Sequence, residues 1–318
     1  MAIWMISPAN RRYWSGNRVT AERWSWILRE LGHRVAVNGS YNGGRCELLI
    51  ALHARRSAEA VLRIKRDHPD IPTVVCLTGT DLYGDIRTSQ RARRVLELAN
   101  RLIVLQPLGV AELAARLRDK TRVIFQSVGR FKTLPKKAED TFDVCVIGNL
   151  RPVKDPFRTA MAARLLPRSS RIRVLHVGRA LSEAMDKRAR AEVTRNPRYH
   201  WLGEKPRSQA LRILARSRTL VLTSKTEGGA NVISEAVAGS VPILASRIPG
   251  SVGLLGDDYP GYFPYGDARA LARLLTRMET QPGYRERLQA ACERIAPVFD
   301  PERERAAWKD LLKELNLS

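Results

Sequence analysis

The sequence predicts an α/β protein made of two doubly wound parallel sheets in tandem. Short apolar runs alternate with amphipathic stretches in both halves of the chain, and the charged segment "GRFKTLPKKAEDT" interrupts the alternation once. A chain of 318 residues with 44% hydrophobic content is long enough to bury two cores. We therefore predict domains at 1–138 and 139–298, with a terminal helix at 299–318 that packs back on the first domain.

The elements of the first half follow from this alternation. Amphipathic stretches at 19–31, 57–66 and 91–99 separate buried runs, which indicates βαβ units. The predicted strands are "IWMIS", "HRVAV", "ELLIAL", "TVVCLTG", "RLIVLQ" and "RVIFQ".

The second half repeats the pattern after the interruption. Its predicted strands are "FDVCVIGN", "RIRVLHVG", "YHWLG", "TLVLTS" and "VPILAS". In doubly wound sheets, ligands bind beyond the carboxyl ends of the strands, so the loops that follow these runs are the candidate sites.

Charge and cysteine usage narrow the class of protein. The net charge is +23, and 44 of the 55 basic residues are Arg spread along the whole chain, without a nucleic-acid recognition motif. The four cysteines are far apart, which favours reduced, buried thiols in a cytoplasmic protein over disulfides or a metal site. No run is apolar for long enough to predict stable membrane insertion.

The loop after "TLVLTS" contains the most informative motif, "EGGANVISEA". Glu227 and Glu235 are separated by seven residues, and Gly228, Gly229 and Ala230 leave room for a ligand near the backbone. Asn231 can start a helix whose N-terminal amides suit a diphosphate, while the acids suit hydroxyl groups. An ordinary glycine-rich turn before a helix remains an alternative.

This motif, followed by "AGSVPILASRIPG", resembles the E-x7-E segment of family-4 glycosyltransferases with the GT-B architecture, two Rossmann-like domains facing across a cleft. The resemblance implies that Glu227 contacts the donor sugar and Glu235 the nucleotide ribose. It also implies that Gly203 in "WLGEKP" meets the uracil with its backbone.

The loop "GNLRPVK" resembles that family's diphosphate loop. Gly148 and Lys154 match its pattern, whereas Asn149 stands where the family has Arg, and Arg151 is a candidate to supply the missing charge. Positive side chains there would stabilise the departing nucleotide without a metal, and the sequence contains no D-x-D motif. We expect neither a metal nor a cofactor.

The loops of the first domain predict a small anionic acceptor, because Arg side chains gather where the strands end. Arg11, Arg12 and Arg56 belong to these loops, although a general surface excess of Arg explains them equally well. The candidate acceptor-binding residues are Gly16, Asn17, Arg18, His53, Arg55, Thr80 and Asp81. Thr80 and Asp81 are also common turn residues, and a lone His at a strand end is often structural.

A wider set of segments is similar to the selenosugar synthase family of selenoneine biosynthesis. The set runs from about residue 16 to residue 267 and includes "GNRVTAERW", "LLIALHARRSA", "LTGTDLY" and "SVGLLGDDYPGYFPYGD". The resemblance implies a UDP-sugar donor, UDP-GlcNAc or a relative, and selenophosphate as acceptor. Our mechanistic hypothesis gives catalytic roles to four residues. Arg151 and Lys154 stabilise the departing UDP, Glu227 orients the sugar, and Arg18 binds the acceptor.

Two other functions stay open on the sequence alone. One is sugar transfer to a phosphorylated lipid or polysaccharide. The other is a basic nucleic-acid-binding or regulatory protein with a vestigial sugar-nucleotide fold.

Overall fold

The computed structural model describes residues 1–8, 15–129, 131 and 133–317. This part of the chain forms two compact units, and each is discontinuous in sequence. The first unit contains Met1–Ser127, Glu227–Asn231 and Val298–Ser318, and the second contains Val128–Thr226 and Val232–Pro297.

The first unit is built on a six-stranded parallel sheet in the order β2-β1-β3-β4-β5-β6. The strands are β1 (Ala2–Ile6), β2 (Arg34–Asn38), β3 (Leu48–Leu52), β4 (Thr73–Leu77), β5 (Arg101–Val104) and β6 (Thr121–Val123). β3 and β4 are buried along their whole length, as expected for central strands covered on both faces.

Helices connect these strands. They are α1 (Gly16–Glu30), α2 (Ala58–Asp67), α3 (Ile86–Thr88), α4 (Gln90–Leu98), α5 (Leu108–Ala111) and α6 (Ala115–Arg118), with a π-helical turn at Asp81–Asp85.

The last helix, α14 (Pro301–Glu314), packs within the first unit. Its Trp308 is fully buried and meets Trp24 of α1 edge to face, with ring centroids 4.9 Å apart. Both residues belong to the hydrophobic core on one face of the first sheet. Helices α1 and α14, which are far apart in the sequence, therefore share one hydrophobic core.

The second unit contains another six-stranded parallel sheet, in the order β12-β11-β10-β7-β8-β9. The strands are β7 (Phe142–Ile147), β8 (Ile172–Val177), β9 (Tyr199–Trp201), β10 (Thr219–Leu222), β11 (Ile243–Ser246) and β12 (Tyr262–Phe263). The helices are α7 (Arg158–Ala163), α8 (Glu183–Arg195), α9 (Arg207–Arg216), α10 (Asn231–Ala238), α11 (Pro249–Leu255), α12 (Ala268–Thr280) and α13 (Pro282–Ile295).

The predicted fold class, two doubly wound parallel sheets, is confirmed. Eleven of the strands lie where the apolar runs predict them, whereas β12 was missed because two residues between Gly and Pro are too short for a periodic signal. All four cysteines are buried and free. Among the described residues, no helix is long and apolar enough to cross a membrane.

Candidate functional site

The candidate residues lie on loops that follow strands or in the helices and helical turns that come after those loops, and they divide between the two units. The first unit contains Gly16, Asn17, Arg18, His53, Arg55, Thr80, Asp81, Glu227, Gly228, Gly229, Ala230 and Asn231. The second contains Gly148, Asn149, Arg151, Lys154, Gly203 and Glu235. Arg11 and Arg12 lie outside the described residues.

The start of α1 carries three of the acceptor candidates. Ser15 caps the helix, since its side chain accepts from Arg18 N at 3.3 Å, and Gly16 and Asn17 form the first turn. The Arg18 guanidinium pairs with Glu22 one turn later at 2.8 Å, and about a third of its side chain is exposed. Arg18 is thus available to solvent at a helix N-terminus, and its acceptor role stays a prediction.

Asp81 ties together the loops that follow β3 and β4. It is fully buried, and its Oδ1 accepts from the amides of Thr78 (2.9 Å) and Gly79 (2.8 Å). Its Oδ2 accepts from the amide of Ala54 at 2.9 Å. This geometry supports a role in shaping the two loops, and direct contact of Asp81 with an acceptor stays a prediction.

His53, in the loop after β3, also contacts the loop after β4. It is buried with a φ of 73°, a left-handed conformation that is uncommon for a side-chain-bearing residue. Its Nδ1 accepts from Arg56 N at 3.3 Å, so Nε2 carries the proton and donates to Thr80 Oγ1 at 3.0 Å. The Thr80 hydroxyl therefore accepts this hydrogen bond and can donate its own proton to another group.

The charge on His53 is disfavoured. Burial lowers its pKa, and the Asp81 carboxylate, 3.9 Å from Nδ1, only partly opposes that effect. A neutral imidazole positions Thr80 without adding positive charge to the loop.

Asp85 was not predicted as part of this group. Its carboxylate pairs with Arg55 at 3.1 Å and lies 3.8 Å from His53 Nε2. The sequence signal was present in "TGTDLYGD", but the π-helical turn that brings Asp85 back toward His53 has no recognisable pattern.

The segment 227–231 packs into the first unit through its glycines. A β-carbon on Gly228 would lie 2.5 Å from the carbonyl carbon of Thr78 and 2.6 Å from Gly79 N. A β-carbon on Gly229 would lie 2.4 Å from Leu105 Cβ. Glycine at these positions lets the backbone approach the loops after β4 and β5, and Glu227 is buried beside Gly228.

Three glycines meet at the carboxyl ends of β7, β8 and β9 in the second unit. Gly178 has a φ of 158°, and a β-carbon there would lie 1.9 Å from Gly148 O. Its amide donates to Gly203 O at 2.9 Å. The loops after these strands are thus held together by main-chain contact, which the absence of a β-carbon at Gly178 permits.

A buried histidine that was not predicted orients the Gly148 loop. His176 Nε2 donates to Gly148 O at 3.2 Å, and its Nδ1 accepts from Tyr199 OH at 2.9 Å. Complete burial lowers its pKa to about 4. His176 is therefore neutral at physiological pH, in the tautomer that supports the loop.

Lys154 ends a short 3-10 turn, Pro152–Lys154, in the same loop. Its aliphatic chain passes close to Gly148, since its Cδ lies 4.0 Å from where a β-carbon of Gly148 would stand. Asp155 follows with a φ of 43°, and Thr223 Oγ1 donates to the carbonyls of Lys154 and Asp155 at 2.9 Å. Arg151 precedes the turn in extended backbone, so two cations flank it.

Glu235 pairs with Arg207, a residue that sequence reasoning missed. Arg207 Nη2 and Glu235 Oε1 are 2.6 Å apart, and the carboxylate is mostly buried. Arg207 begins α9, four residues after Gly203, the residue predicted at the base site. This arrangement provides a fixed carboxylate and a guanidinium, both able to bind hydroxyl or carbonyl groups. Among the described residues, no cluster of three His, Cys, Asp or Glu side chains has metal-binding geometry.

Residues 127–294 match the family model "Glycosyl transferases group 1". The search of curated proteins found no match.

Several solved structures share the fold. HepE from Anabaena, in complex with UDP and glucose, superposes with a TM-score of 0.78 at 17% identity, covering 99% of this chain and 100% of that one. Sucrose-phosphate synthase from Thermosynechococcus elongatus gives 0.78 at 17% identity, covering 99% of each chain. A glycosyltransferase from Rickettsia africae gives 0.74 at 13% identity, covering 100% of this chain and 99% of that one. The GT-B fold prediction is confirmed by these likenesses.

Proposed function

The chain belongs to the Glycosyl transferases group 1 family, and we propose that it transfers the sugar of a UDP-sugar, UDP-GlcNAc or a close relative. The observation that carries this proposal is the glycine-lined loop at the end of β7. Gly148 is half-buried and carries no side chain that would keep a ligand from this loop, while Arg151 and Lys154 bring positive charge to the turn that follows it. Cations beside a backbone without an intervening side chain suit a diphosphate. HepE, of the same fold, is known in complex with UDP and with UDP-glucose.

Each donor-binding residue has a separate role in this proposal. Lys154 and Arg151 stabilise the negative charge that develops on the departing UDP, which replaces a metal in that task. Glu235, fixed by Arg207, accepts hydrogen bonds from the ribose hydroxyls, and the backbone of Gly203 meets the base. Glu227 accepts hydrogen bonds from the sugar.

We propose selenophosphate as the acceptor. The resemblance to selenosugar synthases across residues 16–267 supports this choice, as do the Arg-containing loops of the first unit. Arg18 and Arg55 provide cations, and the Thr80 hydroxyl, which accepts from His53, has a proton to donate to a phosphoryl oxygen.

The chemistry balances without a strong general base. A selenium lone pair attacks the anomeric carbon, the bond from that carbon to the UDP oxygen breaks, and UDP leaves with the electron pair. Water then cleaves the Se–P bond, which gives the 1-seleno-sugar and inorganic phosphate. Selenophosphate is already anionic and soft, so the protein needs to bind and orient it.

The decisive experiment mixes purified protein with UDP-GlcNAc and fresh selenophosphate in the presence of EDTA. UDP release is followed by coupled assay, and the product is examined for the selenium isotope pattern by mass spectrometry. A seleno-hexosamine that requires both substrates, and that is lost with Lys154→Ala, supports the whole proposal. UDP release without selenium in the product rejects selenophosphate and favours a phosphorylated lipid or polysaccharide. No UDP binding rejects the donor.

A further inference from the structure

Arg23 stands at the centre of a buried polar cluster in the first unit. It lies on α1, and its side chain is only 14% exposed. Its Nε donates to the Glu304 carboxylate of α14, 3.0 Å from Oε2 and 3.3 Å from Oε1. Its Nη1 donates to Asn231 Oδ1 at 2.9 Å. One guanidinium therefore joins the last helix to the end of the segment 227–231.

Gln126 extends this connection. In the amide orientation that satisfies both of its polar atoms, its oxygen accepts from Arg23 Nη2 at 3.1 Å and its nitrogen donates to Gly229 O at 2.9 Å. Arg23 thus reaches the segment twice, at Asn231 directly and at Gly229 through Gln126.

The anchor of the cluster is Glu304. Its side chain is 1% exposed, and it accepts from Trp24 Nε1 at 2.6 Å and from Ser127 N at 2.8 Å, with a further hydrogen bond from the Ser127 hydroxyl. A buried carboxylate with this many donors has little freedom to move. It therefore fixes Arg23, which otherwise has the rotamer freedom of a long side chain.

We propose that Arg23 is a positioning residue for the segment 227–231, and that α14 sets the conformation of this segment through Glu304. The inference rests on the proposed function, in which this segment holds the donor sugar through Glu227. Arg23 acts through Asn231 and Gly229 and does not itself contact the substrate.

The arrangement requires a guanidinium. Its planar fork presents Nε, Nη1 and Nη2 to three different partners, whereas an ammonium group on a flexible stem neutralises one carboxylate without bridging to the others. Arg23→Lys consequently separates the effect of the positive charge from the effect of the hydrogen bonds to the segment. It keeps a positive charge beside Glu304 but loses the fixed connection to the segment.

Arg101 offers a matched control. It also ties α14 to the first unit, with Nε 2.8 Å from Glu314 Oε2 and Nη2 donating to Glu314 O at 3.3 Å. Arg101→Lys weakens the attachment of α14 to the first unit at the C-terminal end of the helix, and it leaves the contacts of Arg23 in place.

The first readout is amide hydrogen exchange over 227–231, which does not depend on activity. We expect Arg23→Lys to raise exchange there about tenfold, in keeping with the loss of charge-assisted hydrogen bonds. Arg101→Lys should leave it unchanged. Unaltered exchange in Arg23→Lys overturns the inference.

The second readout is steady-state kinetics. Arg23→Lys should lower kcat/KM for the UDP-sugar about tenfold under conditions in which this variant, like Arg101→Lys, is fully folded. Asn231→Ala should have a similar effect, and the double variant should be no worse than either alone. Wild-type activity in Arg23→Lys, or strict additivity, overturns the inference. If the wild-type protein transfers no sugar, the proposed function fails, and exchange alone decides the positioning role.

Discussion

Arg207 Nη2 lies 2.6 Å from Glu235 Oε1, so the carboxylate assigned to the ribose is held by a cation at the start of α9. The carboxylate is 9% exposed and the guanidinium 32%. Such a pair orients the carboxylate, because a mostly buried acid with a fixed partner has few alternative rotamers. The two residues of this ion pair are 28 positions apart in the sequence.

This pair gives the first prediction. Arg207→Ala should raise KM for the UDP-sugar by roughly 10- to 100-fold with a smaller change in kcat, because a buried carboxylate loses its charged partner and the ribose contact loosens. Initial-rate measurements over a range of donor concentrations test it. Arg212→Ala, an exposed arginine on the same helix, is the control and should behave as wild type. An unchanged KM in Arg207→Ala would show that the ion pair has no part in donor binding.

The second prediction concerns Gly228. Gly228→Ala should destabilise the first unit by about 1–3 kcal/mol, because the new methyl group would overlap the backbone of Thr78 and Gly79, which cannot rotate away. Turnover should fall as the segment is displaced. Gly84→Ala has nothing within 4 Å and serves as the control. Equal unfolding midpoints for the two variants in urea would contradict the prediction.

The third prediction compares two buried tryptophans that touch each other. Trp24 Nε1 donates to Glu304 at 2.6 Å, whereas Trp308 Nε1 has no hydrogen-bond partner within the described part of the chain. Trp24→Phe should therefore cost about 1–3 kcal/mol more than Trp308→Phe, because it leaves a buried carboxylate one donor short. Denaturant unfolding of both variants measures the difference. If Trp308→Phe were the more damaging change, Trp24 Nε1 would contribute nothing to the stability of Glu304.

The fourth prediction is a pH dependence. Burial lowers the pKa of His176 to about 4 in the folded protein, from 6.5 in the unfolded chain. The unfolded state binds the proton more tightly, so the stabilisation is complete above about pH 6.5 and is lost as the pH falls toward 4. The total is about 3 kcal/mol. The unfolding free energy of the wild type should decline through this window, and the decline should be smaller by that amount in His176→Gln. Parallel pH profiles would show that His176 is not the group responsible.

The sequence predicted the sheets well because buried parallel strands leave continuous apolar runs, as at 48–52 and 73–77. It also placed Glu227, Gly148 and Lys154 on the correct loops, since loops follow strands. It did not predict Arg207, Arg23 or His176. Their partners lie 28, 208 and 28 residues away, and no local spacing records a contact made through the tertiary fold.

Asp81 shows a second limit of the sequence. An acid after a buried strand predicts a ligand contact, but no local pattern predicts that its two oxygens accept three backbone amides of the neighbouring loops. The folded chain shows this structural role, and contact of Asp81 with an acceptor stays a prediction.

The discontinuity of the first unit has a consequence for biosynthesis. Residues 1–127 emerge from the ribosome first, but the partner of Trp24 is Trp308, and the carboxylate that holds Arg23 is at residue 304. The face of the first unit that binds α14 is therefore exposed and apolar while some 170 further residues are synthesised. We expect chaperones to bind this face during synthesis. A fragment that ends at residue 127 should be poorly soluble, and adding the α14 peptide in trans should restore cooperative unfolding.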